Sequence, residues 1–336
     1  MKILGLGGRM SGCTFHRVTL PLAYMNGIKG MVTDIPTYEI LEQGWDILFY
    51  NRLSALDADW VEVKKQMNVK IVMDMDDDWV LPPNHMNYES YLEKKPIIEN
   101  NLREAHLITC TNEKLAEKIY SFNQNVLVIP NALPYGHHQF TDAKKEDERI
   151  RIFWAGGCTH QYDLEILKYP LQRLKPFSDK IKMVLGGYTD SDPYSKYIWD
   201  KMFNSFTCNG QLPWTKLGGL EPINYMGLYE YADIMLVPLE NSEWHSCKSN
   251  LKLLEAAAKK VPVIVSNVEP YSRDKDAPVF WVNSQKDWYI HLKDLILNPN
   301  KRLDYGEKIH EWAKSKYNLI NVNESRKAAF DNLVKA

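Results

Sequence analysis

The sequence predicts an α/β protein made of two halves, each a parallel sheet covered by helices, and three observations support this. Short apolar runs alternate with longer amphipathic stretches along nearly the whole chain. A highly charged segment poor in apolar residues, TDAKKEDERI at 141–150, interrupts that alternation. The pattern that opens the chain, an apolar run passing into a glycine turn (KILGLGGRMSG), recurs just beyond it as IRIFWAGG.

The first series of strand-like runs is KILGLG, WDILFYN, VKIVMDM, HLITCT and NVLVIP. The second is IRIFWAG, IKMVLGG, ADIMLVPL and VPVIVS. Helical patterns lie between them, as at Asn112–Phe122 and Leu164–Leu174. Buried strands alternating with helices are the signature of parallel sheets, so each half reads as Rossmann-like. The turn-like PNALPYGHH and the charged segment after it place the boundary near 140–150.

Composition narrows the function classes. Hydrophobic residues at 45% and charged residues at 25% fit a globular chain with a sizeable core and exclude a disordered or fibrous one. Residues 1–140 hold 13 Lys/Arg against 17 Asp/Glu and the remainder 28 against 26, so no broad basic surface draws the chain to polyanions. Five dispersed cysteines lack metal-ligand spacing and suit a reducing compartment. The apolar run at the N-terminus is too short for a signal peptide, and no stretch of 18 apolar residues occurs, so a cytoplasmic location is expected. The tryptophans, Trp60 among them, are too scattered for a nucleic-acid ladder and read mostly as core. Trp79 and Trp244, beside polar motifs, are the candidates to stack on a sugar or base.

The most informative stretch is KSNLKLLEAAAKKVPVIVS, Lys248 to Ser266. A helix starting near Ser249 would present free N–H groups and the positive end of its dipole to an anion, with Lys248 adding a full charge. Glu255, about two turns in, is placed to accept hydrogen bonds from ribose hydroxyls. The competing reading is a capped amphipathic helix beside a solvated lysine.

That stretch resembles the donor-binding signature of family 4 and related GT-B glycosyltransferases, and the segments YMGLYEYADIMLVPL, IRIFWAGGCTHQYDL, DMDDDW, HLITCTNEKLAEKI and VLVIPNAL resemble other elements of that family. The resemblance implies a GT-B fold, two Rossmann-like domains facing a cleft: 1–140 binding the acceptor, 150–310 binding the nucleotide sugar, and a helical tail 311–336 crossing back. It implies that Glu255 holds the donor ribose, that Lys248, Ser249 and Asn250 hold the diphosphate, and that Gly156 and Gly157 allow close approach. Leu217–Pro222 would lie against the base, and His160 with Asp163 near the donor. The family's second glutamate, eight positions before Glu255, is Cys247 here, with Glu240 and Glu243 as the nearby carboxylates to replace it.

VKIVMDMDDDWVLPPNH clusters Asp74, Asp76, Asp77 and Asp78 at a strand end, with His85 close behind. Three readings stand: a DxD metal site, acceptor recognition or proton handling in the cleft by Asp76, Asp77, Asp78 and His85, or a solvated loop with one aspartate capping a helix. Gly8, Arg9, His16, Arg17, Asp74 and Trp79 are the expected acceptor-side residues. No zinc spacing, Walker sequence, GxSxG or Cys/His pair is present.

The resemblance to family 4 therefore implies transfer of a sugar from a nucleotide diphosphate donor, UDP-linked, with retention and without a required metal, Mg²⁺ or Mn²⁺ being dispensable. The acceptor is a glycan or cell-surface precursor, or hydroxymethylated pyrimidine in DNA, since the compact chain also resembles bacteriophage-encoded glycosyltransferases, which would place it in host cytoplasm. A GT-B-type epimerase and a non-catalytic sugar-nucleotide binding module are the rivals.

Overall fold

The computed structural model describes residues 1–57, 63 and 67–335. The chain divides into two compact units: Met1–Pro134 with Ser246–Ser249 and Tyr317–Ala336, and Tyr135–His245 with Asn250–Lys316.

The first unit is built on six parallel strands, β1 (Lys2–Leu6), β2 (Lys29–Thr33), β3 (Ile47–Asn51), β4 (Lys70–Met75), β5 (Leu107–Cys110) and β6 (Val126–Val128), in the order β2-β1-β3-β4-β5-β6. Strand side chains alternate between faces, and the core follows that period. Ile3, Ile47, Phe49 and Val72 pack on one face, and Leu4, Leu48, Tyr50, Ile71 and Met73 on the other. The first face is covered in part by the last helix, Leu319–Lys335, whose fully buried Phe330 meets Phe49 edge-on at 5.3 Å.

The second unit holds β7 (Ile150–Ala155), β8 (Ile181–Tyr188), β9 (Trp214–Gly218), β10 (Ile234–Val237), β11 (Val263–Ser266) and β12 (Phe280–Val282) in the order β12-β11-β10-β7-β8-β9, again all parallel. Trp154, Trp199 and Trp288 are the large buried anchors of its core. Trp214, by contrast, is 48% exposed, and Trp60 lies outside the described residues.

The division between units differs from the one expected. TDAKKEDERI lies inside the second unit, and the break falls at Pro134/Tyr135. The cause is a backbone exchange within the first unit: Leu133 N–H donates to Tyr317 O, and Leu319 N–H donates to Leu133 O, each at 3.1 Å. The helical tail likewise begins later than Glu311, because one helix runs Pro299–Lys316 and the next starts at Leu319. The helical pattern at Leu164–Leu174 is two short helices, Gln161–Glu165 and Lys168–Gln172. Pro170 has no N–H to give to Ile166, so one continuous helix is disfavoured there. No described helix is long and apolar enough to cross a membrane.

Candidate functional site

In open α/β sheets, ligands gather beyond the carboxyl ends of the strands where the strand order reverses. Each unit has one such point. In the first it lies between β1 and β3, and in the second between β7 and β10.

The chain leaves β1 at Gly7, where a Cβ would stand 2.6 Å from Thr14, so glycine is required for the turn. Gly8 has open space around it, and Gly8 and Arg9 are exposed. A π-helical turn, Phe15–Thr19, follows, and it carries His16 and Arg17. Arg17 is 1% exposed and forks onto Asp74, which is fully buried. Nε and Nη2 donate to the two carboxylate oxygens at 2.9 and 2.8 Å, and further bonds go to Asn131 Oδ1 and Ile129 O. Asp74 also accepts from Thr109 Oγ1 at 2.6 Å and Asn51 Nδ2 at 3.1 Å. A pair so enclosed ties the π-helical turn to the ends of β4 and β5. Burial and the neighbouring Arg17 charge push His16 down to about 4, so its ring is neutral near pH 7.

The other three aspartates each face a different cation. Asp76 pairs with Arg52 at 3.0 Å, Asp77 with Lys248 at 3.3 Å, and Asp78 with Lys118 at 2.6 Å. Four like charges in five residues are tolerated because each has its own basic partner. Such an arrangement argues against a shared metal, which needs carboxylates turned toward one another. Burial opposes the charge on Asp76, yet Arg52, Cys13, Asn51 and Arg17 hold its carboxyl below the usual range. Desolvation and the neighbouring Asp76 push the half-buried Cys13 thiol up to about 12. Asp78 is 2% exposed and accepts Val80 N–H, and Trp79, 3% exposed, packs edge-on against Phe122, so both side chains lie in the interior. His85 Nδ1 accepts Asn87 N–H in the following loop.

Ser246–Ser249 belong to this first unit. Asn112 Nδ2 donates to Cys247 O and Lys248 O, and Asn131 Nδ2 donates to Ser249 Oγ. Cys247 is 1% exposed and packs in the first unit's core, so its position offers a sugar no hydrogen-bonding group. The two asparagines were not singled out by sequence reasoning, although Asn131 stands in the quoted VLVIPNAL and Asn112 at a recognisable helix cap.

In the second unit, β7 ends in the glycine turn. A Cβ on Gly156 would meet the Trp154 ring at 2.9 Å and Lys252 Nζ at 3.2 Å, whereas Gly157 has room for one. Gly187, at φ +94°, lies against Gly156, its Cβ position only 2.4 Å from Gly156 O. The helix Leu251–Ala258 starts two residues later than expected, and its N-cap, Asn250, makes no side-chain cap. The Asn250 amide turns instead to Asp274 Oδ2 at 2.7 Å. Glu255 lies on this helix, 4% exposed, and accepts a short hydrogen bond from Tyr229 OH. Burial pushes its carboxyl above the ordinary value, while Lys252 and the Tyr229 hydroxyl pull it the other way. The residues 217–222 run from the end of β9, with Leu220 44% exposed.

His160 Nδ1 and Asp163 Oδ2 are 2.7 Å apart, and Asp163 Oδ1 accepts Glu240 N–H at 2.8 Å. His245, 8% exposed and missed from sequence, brings Nε2 to 3.7 Å from Asp163 Oδ1. Burial and the facing Asp163 and Glu165 charges raise the Glu240 carboxyl.

Two Rossmann-like units with strand orders 2-1-3-4-5-6 and 6-5-4-1-2-3 in one chain define the GT-B class of fold. Solved structures bear this out. A sucrose-phosphate synthase from Thermosynechococcus elongatus aligns with TM-score 0.69 over 99% of this chain and 98% of its own, at 12% identity. Anabaena HepE in complex with UDP aligns with TM-score 0.67 over 99% and 100%, at 12% identity. A UDP-forming trehalose-phosphate synthase from Burkholderia xenovorans aligns with TM-score 0.63 over 89% and 76%, at 13% identity. No protein-family model and no curated protein sequence matches the chain.

Proposed function

We propose that this chain is a glycosyltransferase that moves a sugar from a UDP-linked donor to an acceptor hydroxyl with retention. The carrying observation is the helix Leu251–Ala258, which has no side-chain cap at its N-terminal turn, comes just after Lys248, Ser249 and its N-cap Asn250 in sequence, and bears the buried Glu255 held by Tyr229. The whole-chain likeness to a UDP-bound structure supports it.

In this reading Glu255 accepts the ribose hydroxyls, and Lys248, with the amides of Ser249 and Asn250, holds the diphosphate. The bond from anomeric carbon to diphosphate oxygen breaks, the acceptor oxygen bonds to that carbon, and its proton passes to the departing diphosphate. Lys248 stabilises the charge that grows there, and to do so it exchanges Asp77 for phosphate. Asp77, 27% exposed in its side chain, and Asp76, at 12%, remain the acceptor-side carboxylates that substrate reaches; Gly8 and Arg9 join them on the exposed loop after β1. No step requires Mg²⁺ or Mn²⁺.

The acceptor is a carbohydrate hydroxyl, in keeping with the sugar-phosphate synthases among the structural neighbours. Hydroxymethylated DNA, the acceptor of the phage-type reading, is the arm that tests it. The experiment is a panel of nucleotide sugars with a glycan library and hydroxymethylated DNA, read by mass spectrometry for the glycosylated product and for free UDP. Transfer to a glycan supports the reading, transfer to DNA alone replaces its acceptor, and an epimerised donor or binding without turnover refutes it. Glu255→Gln and Lys248→Ala each remove a charged hydrogen bond of about 1.5–3 kcal/mol, a fall of about 10- to 150-fold in kcat/KM. Near-normal kinetics in both would remove these residues from the donor site.

A further inference from the structure

We propose that Asp163, Glu240 and His245 form a binding site for one divalent cation of the transition series, Zn²⁺ or Co²⁺ and not Mg²⁺. One ligand atom from each lies within 4.8 Å of the other two. Three donors about 2.1 Å from a zinc ion stand about 3.4 Å apart in a tetrahedral arrangement, and His245 Nε2 and Asp163 Oδ1 are already 3.7 Å apart. Small side-chain rotations close the set.

Three further observations point to a ligand. The residues lie beyond the carboxyl ends of β7 and β10, the adjacent strands at which the second sheet's order reverses, Asp163 on the short helix Gln161–Glu165, Glu240 in the loop after β10 and His245 on the helical turn Glu243–Ser246. Two of the three are oriented from behind. Ser242 Oγ lies 2.8 Å from His245 Nδ1, and His160 Nδ1 lies 2.7 Å from Asp163 Oδ2, as outer partners fix the rings and carboxylates of metal sites. Finally, among the described residues no lysine or arginine pairs with Asp163 or Glu240, whereas each aspartate of the Asp74–Asp78 cluster has one. An imidazole donor favours transition metals over Mg²⁺ and Ca²⁺, which take oxygen. The site escapes sequence reading because Asp163 is far along the chain from Glu240 and His245, so no ligand spacing appears.

The test is titration of the full chain with Co²⁺ followed by visible absorption, a readout that needs no sugar transfer and so stands apart from the proposed activity. The expected result is one Co²⁺ per chain, with d–d bands and without the thiolate-to-cobalt band that any of the five cysteines would add. Glu240→Gln, at an exposed position, and His245→Gln should each weaken binding at least tenfold, with Mg²⁺ failing to compete. A thiolate band, binding unchanged in Glu240→Gln, or equal competition by Mg²⁺ would overturn the assignment.

Discussion

Replacing Arg17 by methionine separates the two accounts of this residue, an acceptor-side arginine that meets substrate or a buried structural one. Methionine keeps most of the apolar stem and deletes the guanidinium. In the structure that deletion removes both bonds to Asp74 and those to Asn131 and Ile129. It leaves Asp74, fully buried, with Thr109 and Asn51 as hydrogen-bond donors and no charge directly against it. Breaking a buried ion pair by removing one partner costs about 3–5 kcal/mol. The lower end applies here, because buried Arg326 is near enough for Asp74 to favour its charge and for Arg17 to oppose it; burial and Arg17 together lower Arg326 to about 9. Losing Arg17 relieves Arg326 and lets it offset part of the Asp74 charge. The expected loss is therefore about 3 kcal/mol, read as a lower urea midpoint at constant slope. Adding Asp74→Asn should restore at least about 1 kcal/mol, since no uncompensated anion then remains. A loss below about 1 kcal/mol with a raised donor or acceptor KM would refute the buried role and return Arg17 to the surface.

His16 carries a pH signature. Its ring titrates at about 4 in the folded chain and at about 6.5 unfolded, so its stabilising contribution is complete above about pH 6.5 and is lost as pH falls toward 4, by up to about 3 kcal/mol. His16→Gln should flatten that part of the stability profile when unfolding is compared at about pH 7.5 and about pH 4.5, and an unchanged wild-type-minus-variant difference would count against it. Gly306→Ala places a Cβ 2.2 Å from Lys260 O, a clash with backbone, and should cost about 1–3 kcal/mol by thermal unfolding. Phe330→Ala empties a fully buried site against Phe49 and should cost about 3–5 kcal/mol, which a dispensable tail would not.

Much of the architecture is legible in the sequence because the central strands are buried on both faces and read as uninterrupted apolar runs. All nine runs picked out become strands. The three missed, β2, β9 and β12, are edge strands with partly exposed side chains, so KGMVT and WTKLG carry no such run. The candidate site residues follow a similar rule. Glu255 and Lys248 stand out because a local motif surrounds them. Arg17 and Asp74 look alike from sequence whether buried or exposed, since an ion pair 57 positions apart leaves no local trace. Tyr229, Arg52 and His245 matter through partners that only the folded sheet brings near.

The first unit contains the earliest residues of the chain, yet its face at Phe49 is covered by Phe330, and Ser246–Ser249 are held by Asn112 and Asn131. During synthesis from the amino end, the second unit can assemble as soon as Lys316 has emerged, while the first still waits for its closing helix. Of the two units, the one whose synthesis starts earlier is thus completed later. For as long as that lag lasts, a strip of Ile3, Phe49 and Val72 stays open to chaperones or to another nascent chain. A chain truncated after Lys316 should hold a protease-resistant second half and a protease-sensitive first.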